Sequence, residues 1–267
     1  MVKPFIFNTS PSIRFGDGCL KDIGSILSVD GHDSALIVTD PGMMATDIVS
    51  AAVNSLEIAG ITANLYGEVK SDPPEWVVHA AIDAARAARA NIIIGLGGGS
   101  SLDVAKLAAL LVPGHQTLDQ AYGIGNAVGP RLPLVLVPTT AGTGSEVTPI
   151  SIITTGKSEK MGVVSPLILP DIALLDPALT ISVPPHITAA TGIDAMVHAI
   201  EAYASISTNN NPISRNLAIQ ALGLLGGAVE VAVNDGNNRE ARSDMLLGSM
   251  LAGQAFANSP VAAVHAL

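Results

Sequence analysis

The strongest constraint on the fold is a rhythm. Across the first two-thirds of the chain, short apolar runs alternate with amphipathic stretches at helical spacing. Residues 34–39 (SALIVT) end at Asp40-Pro41-Gly42, which predicts a strand followed by a turn. Ile48, Val49, Ala52, Val53 and Leu56 recur at helical spacing, and Gly60 is placed to stop that helix. Ile61, Ala63 and Leu65 alternate with polar residues and predict the next strand. Asp72-Pro73-Pro74-Glu75 reads as a helix start, with Asp72 as cap, Pro73 in the first turn and Glu75 completing a capping box. That helix runs to about Ala90, and Ile92, Ile93 and Ile94 form a buried strand feeding Gly97-Gly98-Gly99. Residues 134–137 add another strand, and 151–176 reads as short strands and turns. Such a pattern marks parallel crossover units, so the expected fold class is α/β, with an open parallel sheet covered on both faces.

After Pro184-Pro185 the texture changes. Residues 188–204, 212–233 and 239–257 all read as helices with no strand signal between them. The expected domains are therefore 1–182, α/β, and 183–267, all-helical. The second domain reads as incomplete, because residues 264–267 look like the first turn of a further helix, too short to hold itself.

Composition excludes several functions. With 13 Lys+Arg against 23 Asp+Glu, the formal charge is −10, which argues against a nucleic-acid partner. The 4 Phe, 1 Trp and 3 Tyr offer no base-stacking platform. One cysteine, Cys19, excludes an internal disulfide framework and fits a reducing compartment. No stretch reads as a membrane span: the longest apolar candidate, 217–233, is interrupted by Gln220, Gly226, Gly227 and Glu230. The N-terminus shows no signal-peptide pattern, so the expected location is the cytoplasm.

Three strand ends carry small polar loops. Gly97-Gly98-Gly99-Ser100-Ser101-Leu102-Asp103 joins a strand to a helix, and three glycines let a ligand approach the free N–H groups of that helix start, which suits a pyrophosphate. The triplet also serves as a tight turn capped by Ser100. It is neither the spaced G-x-G-x-x-G fingerprint nor a nucleotide-triphosphatase loop. Asp40 ends the first parallel strand, where a carboxylate accepts ribose hydroxyls and repels a 2′-phosphate, although Asp-Pro-Gly is equally a turn opener. Residues 138–146 (PTTAGTGSE) offer hydroxyls and glycines that could wrap a polar cofactor or form a capped turn. Together the three favour a dinucleotide site, and the glycine loop with Asp40 predicts tighter binding of NADH than of NADPH.

Asp194 and His198 lie four apart and so project from one helix face. An oxygen and an imidazole nitrogen there suit Fe²⁺ or Zn²⁺, while an ordinary ion pair or hydrogen bond remains the alternative. Glu201 reads as a partner to that pair or as a residue that caps or solvates the helix. His265, among small apolar residues, is the best candidate for a third ligand; His32, His79, His115 and His186 read as surface or packing residues.

With these residues in view, the chain resembles the iron-containing (group III, metal-dependent) alcohol dehydrogenases. The resemblance rests on Gly97-Gly98-Gly99-Ser100 continuing to Asp103 and Lys106, on the loop 138–146, on Thr191-Gly192-Ile193-Asp194 through His198, and on Val264-His265-Ala266-Leu267. These segments match in order and approximate spacing along the whole chain. The resemblance implies a dehydroquinate synthase-like fold, in which a dinucleotide-binding parallel-sheet domain precedes a helical metal-binding one. It implies that Asp194, His198 and His265 are metal ligands and act catalytically through the metal. Gly97, Gly98, Gly99 and Ser100, with Asp103 in the same motif, would hold the pyrophosphate. Asp40 would hold the adenosine ribose, favouring NAD over NADP. Thr139, Thr140, Thr143 and Ser145 would line the cofactor cleft, and Lys160 resembles the family lysine near the nicotinamide ribose.

The implied reaction is hydride transfer between a small primary or secondary alcohol or aldehyde and NAD, with Fe²⁺ or Zn²⁺ polarising the substrate oxygen. A homodimer or higher homo-oligomer is implied as well. The family's fourth metal ligand and a histidine that assists proton transfer would both fall beyond Leu267, so the chain is expected to be a C-terminally truncated member. Two rivals stand beside this reading: a glycerol-dehydrogenase-like or dehydroquinate-synthase-like enzyme, and a nucleotide-binding fragment without activity.

Overall fold

The computed structural model describes residues 3–156 and 158–260. The described chain divides into two compact units. The α/β unit comprises Ser10–Pro138 and Pro149–Asp176, and the helical unit gathers the N-terminal segment up to Thr9, the loop Thr139–Thr148 and the chain from Pro177 onward. The single boundary expected at 182/183 places both of those earlier segments with the α/β half instead.

In chain order the α/β unit holds β1 (Ser12–Phe15), α1 (Ile23–Ser28), β2 (Ser34–Val38), α2 (Pro41–Met44), α3 (Asp47–Ile58), β3 (Thr62–Tyr66) and α4 (Glu75–Ala87). It continues with β4 (Ile92–Gly97), α5 (Gly99–Leu111), α6 (Leu118–Ala121), β5 (Gly123–Ile124), β6 (Leu134–Pro138), β7 (Ile150–Thr155), β8 (Glu159–Val164) and β9 (Ile172–Leu175). The main sheet has the order β1-β9-β6-β4-β2-β3, and every pairing in it is parallel. A smaller sheet has the order β5-β8-β7, with β7 and β8 antiparallel.

Residue patterns explain the layers. Every residue of β4 is buried, because the apolar run IIIGLG sits between β2 and β6 and is covered on both faces. Removing each such isoleucine side chain from water contributes about 1.5–3 kcal/mol. Helix α3 buries Val49, Ala52 and Leu56, the stripe its spacing predicts. Helix α5 is buried along nearly its whole length and packs on β4, β6 and β7, so it lies between the two sheets. Strand β1 left no signal in the sequence: it is an edge strand whose Ile13, Arg14 and Phe15 are exposed, and its pairing with β9 supplies what its composition does not.

The expected start of α4 is corrected. The helix begins at Glu75 with Pro74 at its N-cap and no side-chain cap. Asp72 has a left-handed backbone (φ 51) and pairs with Lys160, while Glu75 accepts a hydrogen bond from the Tyr122 hydroxyl at 2.9 Å. Proline disfavours helical geometry in the residue before it, and the Pro73 carbonyl is pinned by the Thr154 N–H at 2.9 Å. The helix also stops at Ala87, before Arg89 turns left-handed (φ 50).

The helical unit contains α7 (Pro185–Ala204), α8 (Pro212–Asn234) and α9 (Arg239–Asn258), each packed on the other two and each within three residues of its expected bounds. By length and composition alone α8 would suffice to cross a membrane, a correction to the expectation that no stretch would; in this fold it packs on α7 and α9.

Candidate cofactor and metal sites

The order of the main sheet creates one place where neighbouring strands send their chains in opposite directions. From β2 the chain crosses outward to β3, then returns over β2 to β4. Open α/β sheets bind ligands at the carboxyl ends of such a strand pair. Asp40 follows β2, and Gly98 caps the helix that follows β4. Asp40, Pro41, Val69, Lys70, Ser71, Gly98, Gly99, Ser100 and Ser101 line one cavity of about 480 Å³.

The glycine loop is built for close approach. Gly97 has φ 149, and a Cβ there would come 2.8 Å from Ser101 Oγ and 3.1 Å from Asp40 Oδ2. Gly98 takes the N-cap position of α5 without any side-chain cap, so Ser100 does not play the capping role considered above. The start of a helix that contributes no side-chain cap and lines a cavity offers N–H groups and a positive dipole end to an anion. A dinucleotide pyrophosphate therefore fits the residues present. Asp40 opens the turn as expected: Oδ1 accepts from Gly42 N–H at 2.9 Å and Met43 N–H at 3.1 Å as the cap of α2, while Oδ2 accepts from Ser101 Oγ at 3.4 Å.

The other expected cofactor residues are distributed differently. The Asp103 carboxylate turns to the small sheet, accepting from Ile152 N–H at 2.9 Å and lying 3.6 Å from the Lys106 ammonium. Lys160, on β8, pairs with Asp72, the residue after the cavity-lining Ser71. Thr139, Thr140, Thr143 and Ser145 belong to the loop of the helical unit. Within it Thr139 and Ser145 are buried, Thr143 is exposed, and Thr143 Oγ1 accepts from Ser145 N–H at 3.2 Å. The glycines of this loop serve packing. Gly142 abuts Thr191 of α7, and Gly144 (φ 59) abuts Gly253 of α9, where a Cβ would meet the Gly253 Cα at 2.6 Å.

Sequence reading missed Val69, Lys70 and Ser71. No local spacing announces them. The signal is a backbone one: Val69 N–H donates to the Thr39 carbonyl at 3.1 Å, which brings the chain after β3 alongside the end of β2.

On α7, the Asp194 Oδ2 and His198 Nδ1 atoms lie 3.9 Å apart, with the His198 side chain buried and the Asp194 side chain 40% exposed. The His198 ring stacks on Phe256 of α9, with centroids 4.4 Å apart and 20° between planes. Two donors of this chemistry, one fixed by stacking and neither bridged by a short hydrogen bond to the other, fit a divalent transition metal with metal–donor distances of about 2.0–2.2 Å. Glu201 is buried, so it does not solvate the helix. Among the described residues no third His, Cys, Asp or Glu joins the pair, and His265 lies outside the described residues. Cys19 is no nucleophile at neutral pH: burial, with the nearby Asp176 charge, pushes its thiol up to about 11.

The parallel α/β unit thus carries a cavity at its strand crossover, and the helical unit a carboxylate–histidine pair. The family model "Iron-containing alcohol dehydrogenase" matches residues 10–177, and that of the "Fe-containing alcohol dehydrogenase family, C-terminal" matches 188–267. The chain belongs to this family. It is 40% identical over 263 residues to Long-chain-alcohol dehydrogenase 1 of Geobacillus thermodenitrificans, covering 96% of this chain and 65% of the relative. The solved alcohol dehydrogenase from Oenococcus oeni superposes with a TM-score of 0.95 at 34% identity, covering 98% of this chain and 69% of that one. Sulfoacetaldehyde reductase from Bifidobacterium kashiwanohense, solved in complex with NAD⁺, gives a TM-score of 0.92 at 32% identity, with 98% and 69% covered. The chain thus spans about two-thirds of the length of these relatives. The dehydroquinate synthase-like fold class expected from the sequence is borne out.

Proposed function

We propose that this chain transfers a hydride between a small primary or secondary alcohol or aldehyde and NAD, assisted by a bound Fe²⁺ or Zn²⁺. The observation that carries the reading is the cavity at the strand crossover, lined by Asp40 and by Gly98, Gly99, Ser100 and Ser101. Family membership supports it, as do relatives described as alcohol dehydrogenases and one described with NAD⁺.

In this proposal residues 1–182 take the nucleotide and 183–267 the metal. The N–H groups at the start of α5 receive the pyrophosphate, with Gly97, Gly98, Gly99 and Ser100 allowing its approach. Asp40 accepts the ribose hydroxyls. Asp103 ties the loop's helix to the small sheet, and Lys160, Thr139, Thr140, Thr143 and Ser145 complete the cofactor contacts. Asp194, His198 and His265 are the metal ligands. A divalent ion held by them would supply a Lewis acid that polarises the substrate oxygen, while the redox capacity belongs to the nicotinamide. The chain's part is to bind and orient, and Phe256 contributes by fixing the His198 ring. Metal ligation needs an ionised carboxylate and neutral imidazoles, so metal uptake weakens as pH falls. A cytoplasmic homodimer or higher homo-oligomer, acting on small molecules and not on nucleic acid or membranes, completes the proposal.

The test is metal content by mass spectrometry together with NAD⁺-dependent oxidation of small alcohols in the presence of Fe²⁺ or Zn²⁺. Wild type should carry stoichiometric metal, and Asp194→Ala should carry none. Stoichiometric metal in the variant removes Asp194 from the site. Nucleotide binding without turnover under any metal supports the fragment reading instead.

A further inference from the structure

Helix α8 packs on α7 and α9 through one side, where Ala218, Ala221, Leu225, Ala228 and Ala232 are buried. Its other side has no partner. Only 28% of its most apolar stretch is buried, and Ile219 is 55% exposed. Arg215, Ile219, Gly223, Gly226 and Glu230 are all exposed, and each follows the last by three or four positions. Residues so spaced are neighbours on a helix surface, so the five form one strip along the outward face.

The fold of the single chain does not account for this strip. A glycine inside a helix is less stable than an alanine, yet a Cβ added to Gly223 or Gly226 would meet nothing within 4 Å. The two glycines leave a shallow notch where another backbone can come close. The charges are an independent observation. Neither Arg215 nor Glu230 has an ion-pair partner among the described residues. Arg215 Nε donates to the neutral Asn210 Oδ1 at 2.7 Å, and its guanidinium lies 5.8 Å from the Tyr203 ring centroid.

The strip is complementary to itself. Arg215 and Glu230 lie equally far on either side of a point between Leu222 and Gly223, and so do Ile219 and Gly226. A second α8, running antiparallel about a two-fold axis at that point, sets Arg215 against the partner's Glu230. The same operation sets Ile219 against the notch at the partner's Gly226, and repeats both contacts in reverse. At 1.5 Å per residue the two ion pairs stand about 22 Å apart, one at each end of the contact.

We propose that the outward strip of α8 is a self-association surface on which a second copy of this chain docks antiparallel. This gives a surface to the homo-oligomer proposed above and rests on that part of the reading. One helix from each copy buries less than the roughly 1,600 Å² of a standard interface, so the association is reversible and depends on concentration.

The experiment is sedimentation velocity over a range of concentrations on wild type, Gly226→Gln, Glu230→Arg and the double variant Arg215→Glu/Glu230→Arg. Wild type should self-associate. Gly226→Gln fills the notch and should raise the dissociation constant at least roughly tenfold. Its thermal midpoint should not fall, because glutamine suits an exposed helix position better than glycine does. Glu230→Arg sets like charges opposite each other and should weaken association by a similar factor, while the double variant restores the pairing and the wild-type constant. Association unchanged in both single variants overturns the α8 surface and leaves the homo-oligomer standing on another face. A monomeric wild type, whether free or bound to phosphatidylcholine vesicles through α8, overturns both.

Discussion

The ammonium of Lys106, fully buried in α5, donates to the Ile150 carbonyl at 2.6 Å, and so fastens the helix that carries the glycine loop to the first residue of β7. The same ammonium lies 3.6 Å from Asp103, whose carboxylate accepts from Ile152 N–H. A buried charge is retained only where it is paired and hydrogen-bonded. Lys106→Met would leave the Ile150 carbonyl and the Asp103 carboxylate without that partner. The expected cost is about 3 kcal/mol, read as a lower urea midpoint with an unchanged slope. A midpoint within error of wild type would show that the ammonium contributes no net stability.

Arg131 and Asp171 give the α/β unit a dependence on pH. The guanidinium donates to both carboxylate oxygens, at 2.7 and 3.0 Å, and Leu134 N–H adds a third bond at 2.8 Å. Burial alone would raise the Asp171 pKa, but these bonds outweigh it and hold the carboxyl below its ordinary value of 3.8. A carboxyl depressed in the folded state stabilises above its unfolded pKa, and that stability is lost as pH falls through the folded one. Because the Asp171 side chain is about half exposed, solvent screening keeps the expected loss in Asp171→Asn to about 1 kcal/mol at neutral pH. Thermal melts should show the gap to wild type closing below about pH 4. A gap that stays constant with pH would assign the loss to shape and not to charge.

Gly144→Ala tests the packing of the loop on α9. The new Cβ would lie 2.6 Å from the Gly253 Cα, on a backbone with φ 59, so neither atoms nor dihedral accommodate it. We expect destabilisation above about 2 kcal/mol, or a thermal midpoint lowered by roughly 4–8 °C. Gly125→Ala has a left-handed backbone (φ 77) and nothing within 4 Å, so it isolates the dihedral penalty and should cost less.

The parts of the fold written in the sequence are those where side chains decide locally. The Ile92–Ile94 run and the stripes of α3, α7, α8 and α9 announce their elements, because burial imposes a period on residue type. Strand β1 does not, since pairing with β9 and not its own composition makes it a strand. The Pro73-Pro74 turn misled because its capping pattern competes with a backbone pinned by Thr154, a contact 81 positions away in the chain's own numbering and invisible to local reading. At the candidate site, Asp40, the glycine loop and the Asp194/His198 pair were legible as residue types at the ends of elements. Lys70 was not, because only the Val69–Thr39 bond brings it beside Asp40. The loop glycines were legible as small residues, but their packing against Thr191 and Gly253 needed the tertiary fold.

The geometry of the crossover predicts that a dinucleotide occupies the cavity between the ends of β2 and β4. Trp76, the chain's 1 tryptophan, stands under the cavity-lining Lys70, so energy transfer from it to bound NADH reports occupancy directly. Wild type should give a saturable signal, and Gly97→Val, whose side chain would enter the space between Ser101 and Asp40, should weaken it at least roughly tenfold while keeping its circular dichroism. No saturable signal in wild type, or equal binding by a folded Gly97→Val, would contradict the claim.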